Sequence, residues 1–171
     1  MRKAYTTLGW VIAGLVLLQA ASMAWGVGGQ SRFIENGGVV DKALVEAARA
    51  GGEAPWPEVF GFMIHGINGG MLIPLAALAL LGVSFRARLP HARRNAGILF
   101  GLVFVQIMIA YSIRDLPLLG FIHGLNALLI FAAAMVIARH TADVNDDAGG
   151  TSAAAMPPTV AGDAPLTSAE H

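Results

Sequence analysis

This sequence predicts an all-α membrane protein: a bundle of four transmembrane helices built from a duplicated helical hairpin. Three observations predict it. Of 171 residues, 56% are hydrophobic and 13% charged, more apolar surface than a soluble domain of this size can hide. Four apolar segments each approach or exceed the roughly 20 residues that a helix needs to cross a bilayer. Two short motifs also recur in the same order. GLVxxQ at 14–19 is followed by IHGxN at 64–68, and the pair returns at 101–106 and 122–126.

The spans fall at about residues 6–27, 59–85, 96–113 and 116–138. The first has the flanks of a secretory signal, with Arg2 and Lys3 before it and small residues near Ala24, but its apolar run is too long for one. Basic residues set the orientation. Arg2 and Lys3, then Arg86, Arg88, Arg93 and Arg94, then Arg139 fall on one side if all four spans cross. By the positive-inside rule that side is the cytoplasm, which places both termini there in a bacterial inner membrane. The 28–58 loop is then outside, and its centre, VVDKALVEAARAGG, reads as a short amphipathic helix stopped by Gly51 and Gly52. Residues 141–171 have almost no large apolar side chains and are expected to be a disordered cytoplasmic tail. Trp10, Trp25 and Trp56 lie near span ends as interface anchors.

Several chemistries are excluded. There is no cysteine, hence no disulfide, iron–sulfur cluster or thiolate metal site. No P-loop, Ser-His-Asp set or carboxylate pair lies within the spans, so the chain is not expected to be an enzyme by itself. A transporter is the weakest reading, because no charged residue sits mid-membrane.

What remains is the repeated motif. Gln19 and Gln106 lie about six residues before the outer ends of spans one and three, and His65 and His123 about seven residues after the outer starts of spans two and four. At 1.5 Å per residue all four lie about 10 Å deep. Asn68 and Asn126 follow at i+3, on the histidine face. Polar side chains in lipid turn to the bundle interior. In an up-down-up-down bundle spans two and four are diagonal, so the histidines face each other across the core. That arrangement suits the two axial ligands of one b-type haem, with His65 and His123 on the iron. Gly66 and Gly124, with Gly69 and Ala127 at i+4, leave room for a flat macrocycle. Gln19, Gln106, Asn68 and Asn126 are then expected to orient the ligands or bridge helices. Arg114 sits where propionates could emerge, with Arg32 a weaker candidate, and Pro74 is expected to bend span two. Met63, Met71, Met108 and Met135 read as packing, and His91 and His140 as surface residues.

Other readings stay open. The polar layer could be a hydrogen-bonding device that fixes helix register in a structural or accessory subunit of a membrane complex. It could also be a quinone pocket or an ion site, although two imidazoles and two amides without a carboxylate make a poor site for a hard cation. The haem reading implies electron transfer or redox sensing, with quinol or a redox protein as partner at the outer face and the lipid bilayer around the chain.

Gln in spans one and three, with His in spans two and four, the last as His-x-x-Asn, resembles a family of small uncharacterised bacterial four-helix membrane proteins, a domain of unknown function. The resemblance covers about residues 5–140 and rests on Gln19, His65, Gln106, His123 and Asn126. The outer loop is longer than that family implies. The layout is more loosely similar to one four-helix half of haem A synthase, where paired histidines hold haem. With one such unit, this chain would have one site, and a synthase activity would lack the second.

Overall fold

The computed structural model describes residues 1–139; the expected tail and His140 lie outside them. Every regular element among the described residues is helical. Four helices are long and apolar enough to cross a membrane: α1 (Arg2–Glu35), α3 (Pro57–Ser84), α4 (Ala92–Ser112) and α5 (Leu119–Arg139). The short α2 (Lys42–Arg49) lies between the first two. The protein is thus a multi-pass helical membrane bundle. α1 packs on α3 and α5, and α4 on α5 and the second half of α3, which leaves α1 diagonal to α4 and α3 diagonal to α5.

One end of the bundle is basic and closely packed. Ile12, Ala77, Leu80, Ala96, Leu99 and Ile137 are fully buried there. Tyr5 ties two helix ends together by donating its hydroxyl proton to the carbonyl of Ala92 at 3.1 Å. Gly9 lets α1 meet α5 backbone to backbone: a Cβ on Gly9 would stand 2.8 Å from the Ala138 nitrogen. Small residues serve this purpose in membranes, where packing rather than burial from water drives helix association.

The other end is looser. The first half of α3 packs on α1, where Gly61 lies against the carbonyl of Ser22 with no room for a Cβ. Between its halves α3 carries a π turn, Asn68–Leu72, followed by Pro74. Proline lacks an N–H and clashes with the carbonyl four residues back; the wider π turn absorbs both. The bend expected from Pro74 is therefore a π turn.

Several span boundaries differ from expectation: α1 starts at Arg2 rather than about 6, α5 starts at Leu119 rather than about 116, and two further shifts have a clear physical context. α1 runs to Glu35, not to about 27, because tertiary contacts hold its polar last turns. Arg32 pairs with Glu58, Phe33 packs on Trp56 at 5.0 Å between ring centres, and Gly29 gives Glu58 its space. Asn36 and left-handed Gly37 (φ +88°) then stop the helix, with the Gly37 and Gly38 N–H groups donating to Ile34 and Phe33. This is a Schellman motif. α4 starts at Ala92, earlier than about 96, and takes in Arg93 and Arg94. The amphipathic helix forms as expected: Asp41 caps α2 by accepting from Leu44 N–H at 2.8 Å, and left-handed Gly51 ends it.

Candidate functional site

Both repeated motifs become the same hydrogen-bonded clamp. In the first, the Gln19 side-chain amide donates to the backbone carbonyl of His65 at 2.9 Å. The Asn68 amide donates to the Leu15 carbonyl and to Gln19 Oε1, both at 2.8 Å. In the second, Gln106 donates to the His123 carbonyl at 3.0 Å, and Asn126 donates to the Leu102 carbonyl at 2.9 Å and to Gln106 Oε1 at 2.7 Å. Each helical carbonyl has a second lone pair beyond its own intrahelical bond, so it can accept the amide without breaking the helix. Asn68 is 1% and Asn126 6% exposed. The two asparagines are thus helix-to-helix ties, placed by their i+3 spacing from the histidines, and neither borders the cavity described below.

The glutamine side chains were expected to orient the imidazole rings, but they bond the histidine carbonyls. The contact runs through the backbone instead: His65 Nδ1 lies 3.0 Å from the Gln19 carbonyl oxygen. A carbonyl only accepts, so this bond puts the His65 proton on Nδ1 and leaves Nε2 as the free lone pair. His123 Nδ1 is buried and has no partner among the described residues.

The two imidazoles meet across the bundle diagonal, their ring centres 6.4 Å apart and their planes at 42°. Among the described residues no group of three or more His, Asp or Glu could hold a metal ion. Two imidazoles alone are too few for zinc, which takes three or four protein ligands. They suit a metal that brings its own equatorial donors, as haem iron does.

Beside the histidines lies a cavity of about 450 Å³, within the range of small-molecule and cofactor sites. All four long helices line it. Val16, Ile73, Val103 and Ala127 are nearest the packed end; Gln19, Gln106 and His123 lie about a turn above them, and His65 about two turns above Ile73. From Val103 to Tyr111 the α4 wall rises about 12 Å, and Arg114 follows just past the helix end. The cavity exists because the first half of α3 leans on α1, away from α4.

Of the residues singled out in the sequence, Gln19, His65, Gly66, Gly69, Gln106, Arg114, His123 and Ala127 line this cavity. A Cβ on Gly66 would meet nothing within 4 Å, which agrees with open space beside the helix. Gly69 lines the cavity and also makes room for the Gln19 amide. Gly124 does not line the cavity, and Arg32 is engaged with Glu58. Met63, Met71 and Met108 are exposed on the apolar exterior. Ile107, Ala110 and Tyr111 were missed. They share one helical face with Gln106 and Arg114, at i+1, i+4, i+5 and i+8 from Gln106, so spacing alone could have found them.

Compared with known proteins, the chain matches no family profile, no curated protein and no solved structure.

Proposed function

We propose that this chain is a membrane haem protein in which His65 and His123 are the two axial ligands of one b-type haem, serving electron transfer or redox sensing. The observation that carries the reading is the opposed imidazole pair, 6.4 Å between ring centres, beside a four-helix cavity. Haem iron with both axial positions filled supplies one-electron chemistry rather than oxygen activation.

The chain's own residues would act as follows. The Gln19 carbonyl fixes the His65 tautomer, holding the proton on Nδ1 so that Nε2 is available. The amide clamps hold the backbone of both histidines, which sets the distance between the rings. Val16, Ile73 and Val103 keep water from the deep end of the cavity. Arg114, at the opposite end of the α4 wall, is the cation available to a carboxylate. The identical bonding of the two clamps supports a duplicated hairpin, and the looser likeness to half of haem A synthase is in keeping with it. In this reading the basic end is cytoplasmic in a bacterial inner membrane, and the cavity faces a quinol or a redox protein on the outer side.

A second reading has an observation of its own. All four clamp side chains bond backbone carbonyls or one another with no cofactor needed, and only Asn68 Oδ1 among their amide atoms is buried with no partner among the described residues. The layer would then fix helix register in an accessory subunit. The visible spectrum of the purified protein, oxidised and dithionite-reduced, separates the two. A low-spin haem spectrum that is lost in His65→Ala and in His123→Ala supports the haem site. A preparation that stays colourless after haem is added ends that reading and leaves the accessory role.

A further inference from the structure

The basic end of the bundle carries a second cavity. It measures about 410 Å³ and is lined by Ser84, Phe85, Arg88, His91, Arg93 and Arg94, among others. Among the described residues this end holds Arg2, Lys3, Arg86, Arg88, Arg93, Arg94 and Arg139 and no carboxylate; the described acids, Glu35, Asp41, Glu46, Glu53, Glu58 and Asp115, all lie toward the other end. The loop arginines have no ion-pair partner there: the two described ion pairs, Arg32–Glu58 and Lys42–Glu46, are both at the acidic end. Three arginines therefore line one opening with no carboxylate among the described residues to offset their repulsion. The chain holds them there all the same. Arg88 and His91 take left-handed backbone (φ 54° and 57°), which turns the loop sharply between the two helices. Arg93 lies over the Phe85 ring, 5.3 Å from its centre, so the apolar flank of the opening fixes a charge at its rim.

From this cavity and its charge we infer that the loop between α3 and α4 is a binding site for the phosphate of an anionic phospholipid. Guanidinium groups recognise phosphate oxygens in pairs, and their planar forks converge on one tetrahedral anion. The site sits at the ends of two membrane spans, where head groups lie. Its neighbours Phe85 and Leu89 are apolar, as the acyl side of such a ligand requires. Basic pockets between spans are the recurrent protein half of such lipid contacts. The proposal does not depend on haem binding at the other end.

The test compares the full-length protein with two variants of equal net charge. Arg88→Gln/Arg93→Gln/Arg94→Gln removes three cations from the cavity; Arg2→Gln/Lys3→Gln/Arg139→Gln removes three from the same end outside it. Each is titrated in phosphatidylcholine nanodiscs with increasing phosphatidylglycerol, with lipid binding read by native mass spectrometry and by thermal midpoint. The expected result is that the cavity variant binds phosphatidylglycerol about 10- to 100-fold more weakly, while the control stays within about threefold of wild type. Equal losses in both variants would mean a diffuse surface potential and would overturn the site. So would a wild-type protein indifferent to phosphatidylglycerol. If inorganic phosphate at matched ionic strength gives the same stabilisation, the ligand is a free anion and the lipid assignment falls.

Discussion

The α1–α3 and α4–α5 clusters make the same clamp and hold their histidines differently. Gln19 and Gln106 each bond a histidine carbonyl, and Asn68 and Asn126 each bond a glutamine and a helical carbonyl. Yet His65 Nδ1 reaches the Gln19 carbonyl while His123 Nδ1 has no described partner. The helices also differ. α3 passes through a π turn at Asn68–Leu72, before Pro74; α5 has Ala132 at the position corresponding to Pro74 and stays regular. Gly69 is pressed against Gln19, and its counterpart Ala127 carries a methyl without conflict. Amide-to-carbonyl bonds fix where the backbone of each histidine stands, and local helix geometry then decides what each ring can reach.

The largest effects belong to the rings. His65→Ala and His123→Ala are each expected to abolish a low-spin haem spectrum, since one remaining imidazole cannot fill both axial positions. Imidazole added back separates the roles of the two rings. Rescue is expected in both variants, and rescue in one alone would show that a single histidine carries the site.

Next comes Gly69. A Cβ there would collide with Gln19 Nε2. Gly69→Ala is expected to lower stability by about 1–3 kcal/mol, read as the detergent thermal midpoint. Ala127→Gly at the corresponding position should cost about 1 kcal/mol or less, the ordinary helix penalty of glycine. Pro74→Ala, which restores the missing N–H, should let α3 return toward a regular helix and make Gly69→Ala tolerable. A double-mutant cycle with no coupling between positions 69 and 74 would break the link between the π turn and the Gly69 contact.

Much of this was legible in the sequence, and the illegible part has physical causes. Hydropathy located the four spans, and identical spacing placed Gln19, His65, Gln106 and His123 at one level. The end of α1 was hidden because Gly28, Gly29, Gln30 and Ser31 look like a loop by composition, while the turn that keeps them helical depends on Glu58 and Trp56 from another helix. Although α1 runs past residue 27, Gln19 still stands level with His65, because its amide bonds the His65 carbonyl directly. Which atom a glutamine finds is also invisible in a motif: side chain to carbonyl and carbonyl to ring use the same residues with the roles exchanged.

The asparagines come next in size. Asn68→Ala and Asn126→Ala each remove two hydrogen bonds and leave a glutamine Oε1 without its donor. Interhelical bonds of this kind average about 0.6 kcal/mol and reach about 1.7, so a loss of about 1–2 kcal/mol is expected for each. Because the two clamps are alike, the two losses should match within about 0.5 kcal/mol. A larger gap would mean that the clamps differ in strength as the histidines differ in reach.

The smallest effect is expected at the outer turns of α1. The Arg32–Glu58 pair leaves the arginine side chain 62% exposed and the glutamate 15%. An ion pair open to water on one side contributes about 0–1 kcal/mol and is screened by salt. Arg32→Gln should therefore lower the thermal midpoint slightly at low ionic strength, and the difference should fade as salt is added. It should leave any haem spectrum untouched, since Arg32 lies outside the cavity while Arg114 lines it. Arg114→Gln is the matched control: a loss of haem affinity there, with none at Arg32, assigns the carboxylate contact to α4. If Arg32→Gln changed the spectrum and Arg114→Gln did not, the extended end of α1 would belong to the site, and the cavity's α4 wall would be only packing.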